Sequence, residues 1–254
     1  MNLGSYEIIR QIGEGGFGRT YEARHVLLKN VKACLKQNIN LSTADAQLLM
    51  HEAEVMAGVQ HHSLPAWRDF YKIGDGSYVL AMSFIEGKSL DKAVEKHKAI
   101  HAEDVCWISQ RLLNALYVLH GKGIIHGDVK PPNIIVQPKE HNAVLVDYGL
   151  SCIHPTRGTK AVGYTAIFAA PEIIDGKPPL PESDLYSLGL TMIYAMGGDP
   201  IAKTLPDHVP KKVQEFCTDL VRYNPIDRPT WEKQDLVARL SDVRLEAFGR
   251  RHST

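Results

Sequence analysis

His126-Gly127-Asp128-Val129-Lys130-Pro131-Pro132-Asn133 is followed, fourteen residues after Asn133, by Asp147-Tyr148-Gly149. The first segment sets a carboxylate, an amine and an amide in one short loop, and the second sets another carboxylate beside a glycine-permitted bend. Phosphoryl transfer needs such a set: a group that orients a hydroxyl nucleophile, a cation that faces the moving phosphoryl, and oxygen ligands for a divalent metal.

Together the segments resemble the catalytic loop and metal-binding motif of eukaryotic-like (Hanks-type) Ser/Thr protein kinases, in the compact form found in bacteria. The resemblance implies an α+β, bilobal fold. A β-rich N-lobe with one main helix is expected over 1–84, a hinge over 85–89 and a mostly helical C-lobe over 90–254. By the same resemblance Asp128 is the base, Lys130 neutralises charge on the transferred phosphoryl, Asn133 and Asp147 hold Mg²⁺ (with Mn²⁺ as a substitute), and Ile135 floors the adenine of ATP.

The chain upstream reads as strands around one helix. Tyr6 to Ile12 and Arg19 to Arg24 are strand-like runs flanking Gly13-Glu14-Gly15-Gly16-Phe17-Gly18. That pattern alone is ambiguous, since dinucleotide-binding folds share it. In those folds a helix follows, whereas Arg19-Thr20-Tyr21-Glu22 is strand-forming. A plain flexible hairpin remains the alternative to a phosphate-covering loop. Val31 to Gln37 is a third strand, and Ser42-x-x-Asp45 opens a helix. Leu48, Leu49, Glu52, Val55, Met56 and Val59 follow at helical spacing. Trp67 to Ile73 and Tyr78 to Phe84 flank a Gly74-Asp75-Gly76-Ser77 turn, which makes five strands in all.

Lys36 lies eighteen residues after Gly18, where the resemblance places the lysine that pairs with the α- and β-phosphates. Its ion-pair partner is expected to be Glu52, with Glu54 competing; the two sit roughly 200° apart on a helix, so only one faces Lys36. The resemblance also assigns ATP contacts to Ile12, Gly13, Gly15, Gly16, Phe17, Gly18 and Thr20. Cys34, Met82 and the connector residues Ser83 and Ile85 join them. Ser89 is either a ribose contact or the cap of the helix that starts at Leu90.

Beyond Ile85-Glu86-Gly87-Lys88-Ser89, a polar connector, the chain turns helical. Val105, Ile108, Leu112, Leu116 and Leu119 mark one face of a long helix, and Leu185 to Met196 is apolar nearly all round. In the kinase pattern Thr165 contacts the catalytic Asp and Lys and marks a Ser/Thr specificity. Asp184 holds the catalytic loop, and Glu172 pairs with Arg228. Thr156 and Thr159 are candidate autophosphorylation sites or simply solvated loop residues.

Gly127 departs from the pattern. Most relatives carry Arg there to receive an activation-loop phosphate, so activity independent of that phosphorylation is expected. Only 44 residues separate Asp184 from Arg228, fewer than usual, and a loop is expected over 197–209.

The implied activity is transfer of the γ-phosphate of Mg·ATP to Ser/Thr hydroxyls of proteins, including the chain itself. A pseudokinase that binds ATP as a scaffold is the alternative, and a small-molecule kinase is disfavoured by Ala170-Pro171-Glu172. Lys plus Arg and Asp plus Glu each number 29, so neither a nucleic-acid nor a membrane partner is expected. Cys34, Cys106, Cys152 and Cys217 are dispersed and suit a reducing cytoplasm.

Overall fold

Short Gly- and Ser-punctuated runs of β-branched and aromatic residues fill the first third of the chain, and in the computed structural model they pair into one antiparallel sheet. The structure describes residues 1–15 and 18–250. The strands are β1 (Asn2–Leu3), β2 (Tyr6–Gly15), β3 (Gly18–His25), β4 (Lys32–Gln37), β5 (Trp67–Lys72) and β6 (Tyr78–Ser83). They run in the order β1-β2-β3-β4-β6-β5. This is six strands rather than the expected five. The extra one, β1, has two residues and pairs Asn2 with Glu7 and Leu3 with Tyr6, too short a run to carry a period-two signature.

Alternation sets the two faces of this sheet. Ala23, Ala33, Leu35, Val79 and Ala81 point to one side and form a buried cluster with Leu3, Tyr6 and Tyr21. Cys34 and Lys36 therefore face the other way. Helix α1 (Thr43–Ala57) starts at Ser42, whose Oγ accepts the Asp45 N–H at 3.1 Å. It buries Leu49, Glu52, Ala53, Val55 and Met56.

The chain divides into two compact units, Met1–Glu86 and Gly87–Thr254. In the second, the connector is not wholly irregular. Lys88–Ser89 forms β7, which pairs with β9 (Ile134–Gln137). Ser89 stands at the N-cap position of α2 (Leu90–His97), yet its side chain makes no cap hydrogen bond, so the expected capping role is not realised. The strand pairing of Ser89 with Ile135 occupies the backbone there instead.

Helix α3 (Ala102–Gly121) buries more than the one face read from its apolar spacing, with Cys106, Trp107, Leu113 and Ala115 also enclosed. After it come β8 (Ile124–Ile125), then β9, β10 (Asn142–Leu145) and β11 (Cys152–Ile153). Helix α4 (Pro171–Ile174) precedes α5 (Pro181–Ala195), the apolar segment, which is buried along nearly its whole length. Pro181 sits in the first turn of α5, where its missing N–H costs nothing. Helices α6 (Lys211–Leu220) and α7 (Leu236–Phe248) complete the unit. The stretch 197–209 between α5 and α6 carries a single bridge, Asp199 with Thr204.

Candidate active site

The loop between β8 and β9 is held by two side chains of α5 and by its own His126. Asp184, on the first turn of α5 and 1% exposed, accepts the backbone N–H of His126 at 2.8 Å and of Gly127 at 2.9 Å. Burial pushes this carboxyl up, but the hydrogen bond from His120 and the Gly127 N–H outweigh it and leave the group below its ordinary range. Thr191 Oγ1 reaches the Val129 carbonyl at 3.5 Å from the same helix. His126 is fully enclosed. Burial lowers its pKa and so keeps the ring neutral, with Nδ1 accepting the Asp128 N–H at 3.3 Å and the ring tilted against Tyr148.

Gly127 is the hinge of this arrangement. Its φ is +78°, in the left-handed region, and a Cβ there would lie 2.5 Å from the Leu150 carbonyl oxygen. Glycine meets both demands at once.

Three donors converge on the Asp128 carboxylate. Thr165 Oγ1 donates to Oδ1 at 2.9 Å, Lys130 Nζ lies 2.7 Å from Oδ2, and Asn133 Nδ2 donates to Oδ2 at 2.9 Å. Lys130 Nζ also donates to Thr165 Oγ1 at 2.9 Å, so the hydroxyl relays between amine and carboxylate. The chain thus brings Asp128, Lys130, Asn133 and Thr165 into one cluster. Asn133 Nδ2 further donates to the Asp128 carbonyl at 3.0 Å. With its amide nitrogen so committed, its oxygen is the atom left to act as a ligand.

Asp147 follows β10. The Val146 N–H donates to the Asn133 carbonyl at 2.9 Å, which ties the second motif to the first one residue before Asp147. Asp147 itself has φ +71°, and its Oδ1 accepts the Gly149 N–H at 3.3 Å. Asn133 and Asp147 offer only oxygen ligands, the donor type that a hard divalent cation takes together with phosphate oxygens. Ile135 is half-buried in β9, paired with both Val144 and Ser89.

In the first unit, Lys36 Nζ donates to Glu52 Oε2 at 2.6 Å; Glu54 is exposed on α1. Cross-strand pairs share a face, and here Lys36 pairs with Thr20 and Cys34 with Met82. Thr20, Cys34, Lys36 and Met82 therefore line one side of the sheet. Gly13 pairs with Thr20, Gly15 with Gly18, and Ile12 sits at an irregularity in β2 with its side chain exposed. Gly18 packs so closely on β4 that a Cβ would lie 2.6 Å from the Gln37 carbonyl oxygen. Ser83 Oγ accepts the Ala66 N–H at 2.9 Å, and Ile85 is half-buried beyond the end of β6. Gly16 and Phe17 lie outside the described residues.

Glu172 and Arg228 meet in a bidentate pair at 2.7 and 2.8 Å, both buried. Two residues that the motifs did not single out join the site's support: His120 bonds Asp184, and Trp231 bonds His120. Their partners lie 64 and 111 positions away, so no local signal marks them.

A family model described as "Protein kinase domain" matches residues 6–236. Serine/threonine-protein kinase D of Synechocystis sp. is 34% identical over 215 residues, 76% of this chain and 41% of that protein. Serine/threonine-protein kinase F of the same organism is 30% identical over 220 residues, covering 77% and 44%. Aurora kinase C of Mus musculus is 28% identical over 247 residues, covering 89% and 88%. The chain thus spans less than half the length of the two Synechocystis relatives.

Proposed function

The chain belongs to the protein kinase family, and on that premise we propose that it transfers the γ-phosphate of ATP to Ser and Thr hydroxyls of proteins, itself included, with Mg²⁺ as the working cation. The observation that carries this reading is the Asp128 carboxylate held by Thr165, Lys130 and Asn133. Such an array fixes a carboxylate where it can orient an acceptor hydroxyl and receive its proton.

In this reading Asp128 orients the acceptor oxygen for in-line attack. Lys130 faces the moving phosphoryl and offsets its charge. Asn133, through its amide oxygen, and Asp147 hold the cation, which when bound supplies positive charge against the phosphates. Lys36, kept in place by Glu52, pairs with the α- and β-phosphates. Gly13, Gly15 and Gly18 cover them. Ile12, Thr20, Cys34, Met82 and Ile135 enclose the adenine, and the backbone of Ser83 to Ile85 bonds its edge. Ser89 contacts the ribose. The Thr165 hydroxyl between Asp128 and Lys130 supports a Ser/Thr rather than Tyr acceptor.

Among the described residues no helix is long and apolar enough to cross a membrane. We place the protein in the cytoplasm on its dispersed cysteines.

Phosphoamino-acid analysis of a generic protein acceptor tests this function. The expected products are phosphoserine and phosphothreonine, formed equally well by the Thr156→Val/Thr159→Val variant, because Gly127 supplies no guanidinium for an activation-loop phosphate. Phosphotyrosine as the main product would contradict the acceptor class. Loss of activity in the double variant would contradict the independence from phosphorylation.

A further inference from the structure

We propose that Trp231 is a positioning residue that fixes the ring of His120 and, through it and Asp184, holds the catalytic loop. The inference rests on the kinase reading above for its consequence, but its geometry stands by itself. Trp231 Nε1 donates to His120 Nδ1 at 2.8 Å, and His120 Nε2 lies 2.8 Å from Asp184 Oδ2. An indole nitrogen can only donate. His120 Nδ1 must therefore be an acceptor, and the ring carries its proton on Nε2, where it donates to Asp184.

The consequence passes to the loop. Asp184 Oδ2, which meets His120, also accepts the His126 N–H, and Oδ1 accepts the Gly127 N–H. Those two amides immediately precede Asp128. Without the indole donor the ring loses the bond that sets its tilt, and Nε2–H is no longer held in line with the carboxylate. The His120 side chain is 3% exposed and that of Asp184 1%, so water does not readily replace a lost partner. Tyr117, one turn before His120 on α3, packs edge-on against the same indole at 5.4 Å between ring centroids. Packing and hydrogen bonding by Trp231 can thus be separated.

The test combines ¹⁵N spectroscopy of the histidine rings with steady-state kinetics of the intact chain. In the wild type, His120 is expected to show an unprotonated Nδ1 and a protonated Nε2. Trp231→Phe keeps an aromatic ring and removes the donor. It should move the His120 Nδ1 resonance to that of a ring nitrogen without a hydrogen-bond donor and lower kcat about fivefold, the loss expected for one hydrogen bond, with KM for ATP unchanged. Tyr117→Ala, which strips packing from the indole but spares its N–H, should change neither readout. In a His120→Gln background, where no imidazole Nδ1 remains to bond, Trp231→Phe should cause no further loss.

A wild-type His120 protonated on Nδ1 would overturn the inference without any variant. So would a Trp231→Phe protein with wild-type kcat, or a loss of equal size in the His120→Gln background. A wild type that shows the Nε2–H form yet transfers no phosphate would overturn the kinase reading instead.

Discussion

Gly127 meets two demands that a residue with a Cβ meets only under strain. Its φ is +78°, and a Cβ would lie 2.5 Å from the Leu150 carbonyl oxygen. A left-handed conformation costs an L-residue about 1–2 kcal/mol, and the close contact adds to that. Gly127→Ala and Gly127→Arg are both expected to lower stability by at least about 1–2 kcal/mol, read from urea midpoints at constant slope. Midpoints equal to wild type would show that the loop relaxes freely. Reintroducing an arginine is therefore not a neutral way to restore phosphate sensing. Its side chain arrives with a backbone cost at the residue beside Asp128. The neighbouring Asp128, Lys130 and Asn133 were legible in sequence because they fall within six consecutive residues. Thr165, 35 and 37 positions from Lys130 and Asp128, was expected only by resemblance. His120 and Trp231 gave no signal at all, since a lone His on a helix and a lone Trp in a turn are ordinary residues until their partners are known.

Between elements, a buried cluster of hydrogen bonds in the second unit joins α4 to the segment after α6. Arg228 donates to both Glu172 oxygens and to the carbonyls of Glu182, Arg222 and Tyr223, and its guanidinium lies 4.7 Å from the Tyr186 ring centroid. Ser183 Oγ donates to Glu172 Oε1 at 2.7 Å. Burial pushes the Glu172 carboxyl up, but the bonds from Arg228 and Ser183 outweigh it and hold the group below its ordinary value of 4.5. A lowered folded-state pKa means that the unfolded chain binds the proton more readily. The Glu172 contribution is then fully present above the ordinary carboxylate range and is lost as pH falls below it. Glu172→Gln, which leaves a buried guanidinium without its counter-charge, is expected to cost about 3–5 kcal/mol at neutral pH. It should also flatten the decline in stability on acidification. A variant that declines as steeply as wild type would assign the acid sensitivity elsewhere. At this scale the sequence was legible where elements are long or capped: α1 from Ser42, α5 from its apolar run, β5 and β6 from the Gly-rich turn between them. It was illegible for β1, β7, β8 and β11. Each has two residues, so tertiary pairing rather than any periodic pattern defines it.

At the scale of the molecule, each unit builds part of the proposed chemistry on its own buried secondary structure. The first unit sets Lys36 in the interior of an antiparallel sheet, between β3 and β6, and pairs it with a buried glutamate on α1. The second hangs its loop from α5, the most enclosed helix, through Asp184 and Thr191. If ATP and a divalent cation engage these groups in the native chain only, they stabilise it by mass action. At a hundredfold excess over Kd the gain is about 2.7 kcal/mol. Mg·ATP should therefore raise the melting temperature, and chelation of the metal should remove most of the shift. A shift that survives chelation would argue against cation binding through Asn133 and Asp147. Asp128 as the base of a phosphoryl transfer is tested by incorporation of labelled γ-phosphate from Mg·ATP into the chain and into a generic Ser/Thr acceptor, comparing wild type with Asp128→Asn. Clear incorporation by wild type and a fall of ~10²–10⁴-fold in the variant are predicted. Equal incorporation by both proteins would contradict the assigned base. No incorporation by either, with ATP still raising the melting temperature, would identify a nucleotide-binding scaffold instead.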